Sequence, residues 1–217
     1  MRLNRTAFQL RRMIILKIIG VTGGIGSGKS SVSRTLRDLG AAVVDADVLA
    51  KSVTSSTGKA FDELVEYFGA DIIGENGEID RRKLAEKAFG DQVMLHALNS
   101  ITHKYVAEKL NDTVELLKNS GKWDVIVLDA PIPIQRGFVD LADEIWVVTA
   151  DRETRIRRVM ERSGYTYEEV NRRMDSQMRD DEYLKLADEV LVNDGSMEEL
   201  EQAVVKLFLS KKQEWQR

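Results

Sequence analysis

The 217-residue chain has no cysteine, two prolines and no apolar run approaching the roughly 18 residues that cross a bilayer. The missing cysteines exclude disulfides, zinc–thiolate sites and a thiol nucleophile. With so little proline there is no proline-rich linker, and no repeat or low-complexity tract interrupts the chain. A charged, then apolar, then small-residue export signal is missing too, so the cytosol is the expected compartment and no membrane partner is expected. Nor is there an excess of positive charge: 32 Lys and Arg stand against 36 Asp and Glu, a formal net charge of −4. Proteins that coat nucleic acid carry a net basic face, so no nucleic-acid partner is expected and any basic site must be local. What is present is a chain 43% hydrophobic, enough for one large core or a core with a small satellite lobe.

The opening stretch MRLNRTAFQLRR is basic and ends at Met13. Residues 1–13 are expected to be an extension, with Met13 as the alternative natural start, because little in them can anchor to a core. Residues 14–21, IILKIIGV, then form an apolar, β-branched run, followed by a glycine-rich turn and by SSVSRTLRDLG, which has helical spacing and closes on Gly40. Further apolar runs lie at Ala42 to Val44, Val125 to Leu128, Ile145 to Val148 and Val190 to Val192, with helical patterns between them. Runs buried on both faces and alternating with helices imply a parallel sheet in an α/β fold. About 80 residues separate the second run from the third, although a parallel crossover needs only about a dozen. Within that gap Phe61, Leu64, Val65 and Phe68, and again Met94, Leu98, Ile101 and Tyr105, fall at helical spacing. The reading is a core of residues 14–54 and 120–217 with a helical insert, residues 55–119, over one edge of the sheet.

Residues 23–30, GGIGSGKS, satisfy the phosphate-loop pattern G-x-x-x-x-G-K-[ST] through Gly23, Gly28, Lys29 and Ser30, between a predicted strand and a predicted helix. Glycines let successive backbone N–H groups from Gly24, Ile25, Gly26, Ser27 and Gly28 point inward, and the following helix adds its positive end. Phosphate oxygens are the natural guests. In such a site Lys29 bridges the β- and γ-phosphates of ATP, the Ser30 hydroxyl ligates Mg²⁺, and Ser27 and Ser31 are short donors nearby. No NKxD-type guanine reader is present, and the third run ends in LDAP rather than in the acidic pair common in motor ATPases. After the second run, AAVVDAD places Asp45 and Asp47 together. Two readings stay open for them: a strand end with a helix cap, or carboxylates facing the γ-phosphate across a cleft.

The ordered set TGGIGSGKS, DLG with VVDAD, DRRKLAEKAF, LNSITHKYV, ETRIRRVMER, DSQMRDDEYLKLADEVL and VNDG, spread over residues 14 to about 200, resembles the dephospho-coenzyme A kinase family. The resemblance implies an α/β, P-loop NTPase-type five-stranded parallel sheet flanked by helices, with a helical acceptor-binding insert and a lid at about 152–182. It also implies transfer of the ATP γ-phosphate, with Mg²⁺, to the ribose 3′-hydroxyl of dephospho-CoA, giving CoA and ADP. On this resemblance Asp47 accepts or orients the proton of the attacking hydroxyl, and Asp45 either orients Mg²⁺ through water or finishes the strand. Arg158 matches the catalytic lid arginine and Arg162 a second phosphate contact; Arg155 lies on the same helix face. Arg81 and His103 match acceptor-binding positions, and Asn193 and Gly195 match a loop against adenine, for which an ordinary Asx turn is the alternative. The chain departs from the family at Lys104, where the family has proline, and at PIPIQ (131–135), which leaves Gln135 in place of an acid. Two other functions remain open on the residues alone: a P-loop kinase for another nucleoside or nucleotide, and a nucleotide-dependent binding or regulatory protein with no acceptor.

Overall fold

The computed structural model describes residues 16–89, 91–131 and 138–216. The extension at 1–13, the expected strand start at 14 and Gln135 lie outside the described residues. In chain order the elements are β1 (Lys17–Thr22), α1 (Lys29–Asp38), β2 (Ala42–Asp45), α2 (Ala46–Val53), α3 (Phe61–Phe68), a 3-10 turn (Ala70–Ile72), α4 (Arg81–Phe89) and α5 (Gln92–Ser120). They continue with β3 (Val125–Asp129), β4 (Glu144–Thr149), α6 (Arg152–Ser163), α7 (Tyr167–Asp175), α8 (Asp180–Leu186), β5 (Glu189–Val192) and α9 (Met197–Glu214).

All five expected runs become strands of one parallel sheet, in the order β2-β3-β1-β4-β5. Successive side chains of a strand point to opposite faces, and here both faces are covered. On one face Ile19, Val127, Trp146 and Val148 meet Leu36 of α1 and Val204 and Phe208 of α9. On the other, Ile18, Val44, Ile126 and Leu128 meet Leu110 and Val114 of α5, and Ile145 and Val147 meet Tyr183 of α8. β1 is central, and the chain leaves it to one side for β2 and later to the other for β4. That reversal makes the carboxyl end of β1 the switch point where α/β sheets bind ligands.

Between β2 and β3 the helices build a second core from Val53, Leu64, Phe68, Ile72, Leu84 and Ile101. Helix α5, 29 residues long and so about 43 Å, belongs to both cores. Ile101 and Val106 pack in the lobe, while Leu110 and Val114 pack on the sheet. Helix α2 is shared in the same way, through Ala46 at the sheet and Val53 in the lobe. The lobe is therefore continuous with the sheet layer through two helices, and α5 ends on Gly121 in the left-handed conformation.

Candidate active site

The loop from β1 to α1 owes its path to glycine at two points above all. Gly28 caps α1 at φ 99, and a β-carbon there would stand 2.2 Å from Nδ2 of Asn193. Gly23 lies at φ 152, where a β-carbon would stand 2.1 Å from the Val148 carbonyl oxygen of the neighbouring strand. The loop is thus wedged between the sheet and the 193–195 turn. Buried Asn193 donates from Nδ2 to the Ser27 carbonyl at 2.8 Å, and from the segment after α7 Gln177 Oε1 accepts from Ile25 N–H at 2.9 Å.

This loop walls a cleft of about 390 Å³, to which Lys29, Ser30, Asp47, Arg158 and Arg162 also contribute. The lysine forms an ion pair with Asp129, the last residue of β3, and both side chains are largely buried. Asp129 stands beside Asp45 in the β2–β3 register and beside Val21 in the β1–β3 register. In sequence LDAP shows a single acid with nothing to mark it; only the adjacency of β1 and β3 brings that acid to Lys29.

Asp45 caps α2, with Oδ1 accepting from the N–H groups of Asp47 (2.8 Å) and Val48 (3.2 Å). By setting the first turn of α2, this cap leaves Asp47 exposed on the floor of the cleft. Among the described residues Asp47 also lines a second cleft, of about 430 Å³, with Lys51, Thr54, Glu78, Arg81 and Thr102. Among the described residues the two clefts share no other.

The remaining expected residues divide. Arg158 reaches the cleft with its guanidinium steadied by backbone carbonyls, Nη1 to Asn193 O at 2.8 Å and Nη2 to Gly195 O at 3.3 Å. Asn193 and Gly195 thus hold the phosphate loop and Arg158 from behind and are not among the described residues that line the cleft itself. Arg81 lines the second cleft; His103, on α5, lines neither, and partial burial of its ring lowers its pKa from the ordinary imidazole value. Lys104 is built into the joint between α3 and α5. Its Nζ donates to Glu63 at 3.0 Å and lies 4.6 Å from the Tyr105 ring centre, and the Tyr105 hydroxyl donates to the same carboxylate at 2.7 Å. Arg155, on the helix face of Arg158, is buried and pairs with Asp180 instead of entering the cleft. Among the described residues no group of three or more His, Cys, Asp or Glu could hold a metal by itself.

The profile of the dephospho-CoA kinase family matches residues 17–199, which take in every element from β1 to the start of α9. The chain belongs to the dephospho-CoA kinase family. It is 41% identical over 196 residues to a dephospho-CoA kinase of Carboxydothermus hydrogenoformans, covering 90% of this chain and 95% of the relative. It is 42% identical over 182 residues to that of Corynebacterium glutamicum, covering 84% and 93%. A crystal structure of a Thermus thermophilus protein, 36% identical, superposes with a TM-score of 0.76 over 91% of this chain and 98% of the other. Membership of the family makes the chain an ATP-dependent kinase that phosphorylates a hydroxyl of dephospho-CoA, in CoA biosynthesis. No helix among the described residues is long and apolar enough to cross a membrane.

Proposed function

We propose that the two clefts meeting at Asp47 hold the two substrates of dephospho-CoA phosphorylation, ATP on the phosphate-loop side and dephospho-CoA on the lobe side. The position of Asp47 on their common wall is the observation that carries this reading. The acceptor group is the ribose 3′-hydroxyl. Its oxygen forms a bond to the γ-phosphorus as the bond from that phosphorus to the β,γ-bridging oxygen breaks, and the hydroxyl proton passes to Asp47, giving CoA and ADP. A loose phosphoryl-transfer transition state asks mainly for alignment, so an exposed aspartate is basic enough.

The cations act on charge. Lys29 follows the migrating phosphoryl group, and Arg158 and Arg162, delivered by a lid over about 152–182, neutralise its equatorial oxygens. Asn193 and Gly195 contribute to ATP binding by holding Ser27 and Arg158. The residues 55–119 serve as the acceptor lobe, where Arg81 is a cation for the acceptor's anionic part and His103 a further acceptor contact. The oxygens of Ser30, Asp45 and Asp129 are hard donors of the kind Mg²⁺ takes, with water and phosphate completing its shell. Bound there, Mg²⁺ supplies charge neutralisation at the β- and γ-phosphates. Reaction takes place in the cytoplasm.

The deciding experiment measures ADP release with ATP alone, with dephospho-CoA, and with adenosine or a nucleoside monophosphate as acceptor. Strict dependence on dephospho-CoA, with phosphate found on the 3′-oxygen, is expected. Release that is indifferent to acceptor, or faster with a nucleoside, overturns the assignment of the clefts.

A further inference from the structure

A cavity of about 310 Å³ adjoins the nucleotide cleft, lined in part by Arg155, Met174, Gln177 and Asp180, and Gln177 is common to both spaces. Arg155 is 3% exposed, an unusual place for a guanidinium. One nitrogen, Nη2, donates to Asp180 Oδ2 at 2.5 Å, while the buried Nε has no hydrogen-bond partner among the described residues. Nη1 stands 2.5 Å from where a β-carbon of Gly24 would be, and the Arg155 carbonyl oxygen stands 2.7 Å from where one of Gly26 would be. Between these two glycines, Ile25 gives its N–H to Gln177. The turn 24–26 is therefore gripped by α6 through Arg155 and by the segment after α7 through Gln177. Asp180, in the first turn of α8, fixes the arginine.

We infer that Arg155 and Asp180 form a latch that locks the lid to the Gly24–Ile25 turn and sets the register between the phosphate loop and Arg158. Arg155 is a positioning residue: it lines the rear cavity and acts on the donor phosphates through the loop. Arg158 lies one helical turn further along α6, so a shift of Arg155 against Gly24 moves Arg158 relative to the phosphates by the same rigid body. A guanidinium suits the task because one of its nitrogens holds the carboxylate while another stands close against Gly24. The charge also makes the latch all-or-none, since a buried cation deprived of its carboxylate is driven out of place.

The inference rests on the phosphate loop being the ATP site. The test uses Asp180→Asn, Arg155→Gln and the double variant, with steady-state kinetics for each substrate, melting temperature, and Lys29→Ala as control. Asp180→Asn is expected to raise the KM for ATP about tenfold or more and to lower kcat less, leaving the KM for dephospho-CoA within about twofold. In the double variant a neutral amide pair replaces the ion pair, so its loss in kcat/KM for ATP is expected to be much smaller than the product of the two single losses. Should Arg155→Gln not fold, Asp180→Asn, altered at a half-exposed side chain, carries the KM test alone. An unchanged KM for ATP in folded variants, a tighter one, equal changes for both substrates, or multiplicative losses overturn the latch. Full turnover in Lys29→Ala would instead overturn the ATP site itself, so the two failures are distinguishable.

Discussion

At Asp45 the carboxylate accepts from two N–H groups of the first turn of α2, a capping role that asparagine also fills. Asp45→Asn is expected to change stability by less than about 0.5 kcal/mol, and Asp45→Ala to cost about 1 kcal/mol, read from denaturation curves. A strong fall in turnover with Asp45→Asn would then report a part in the chemistry that capping does not explain. Asp47 caps nothing, and Asp47→Asn is expected to leave ATP binding intact while lowering kcat by about 10²-fold or more, measured by equilibrium binding and by steady-state turnover. The phosphate loop is legible residue by residue because its chemistry is local: glycine, lysine and serine at fixed offsets between a strand and a helix. Asp129 is not, since a lone aspartate after VIVL acquires its meaning only when β3 lies beside β1. The hold of Asn193 on the phosphate loop is not legible either, because its hydrogen bond to Ser27 joins residues 166 positions apart.

Among the elements, α5 decides how the lobe is held. Its periodicity is readable at 94–105, where one face serves the lobe, but the same helix runs on to bury Leu110 and Val114 against β2 and β3. Leu110 is 1% exposed, and Leu110→Ala is expected to cost about 2–5 kcal/mol, checked by urea denaturation, with the loss felt in sheet and lobe together. Lys104, the departure from the family in this helix, stands in an exposed ion pair. Exposed pairs contribute at most about 1 kcal/mol, so Lys104 ties α3 to α5 only weakly. A helical pattern in sequence marks which residues share a face; it does not say that the face changes partner halfway along.

For the whole molecule, acid stability follows from where its carboxylates sit. In the lobe, the Tyr105 hydroxyl holds Glu63 below the ordinary carboxylate range, Lys87 does the same for Asp71, and the Ser56 hydroxyl and N–H do so for Glu78. Each folded-state pKa is depressed, so the stabilisation is present above the unfolded values and is lost as pH falls through about 4 and below. Denaturation midpoints measured from about pH 5 to 3 are expected to fall, and Glu78→Gln is expected to flatten that acid limb by removing one titrating group. The same carboxylate ties the 54–58 loop to the lobe's turn beside the second cleft through Ser56 N–H at 2.8 Å, so acidification is also expected to loosen that side of the cleft.

By itself the sequence determined that five apolar runs alternate with helices, that a phosphate loop follows the first, and that an insert interrupts the second crossover, because periodicity and loop chemistry are written in neighbouring residues. It determined the family as well, through short motifs in a fixed order. Only the tertiary structure decided that Asp47 stands on the wall between two clefts, that Asp129 pairs with Lys29, and that Arg155 lies buried against Asp180 while Arg158 enters the cleft. Those facts depend on strand order, on the packing of α2 against α5, and on contacts between residues far apart in sequence, 100 positions for Lys29 and Asp129, which no local pattern encodes.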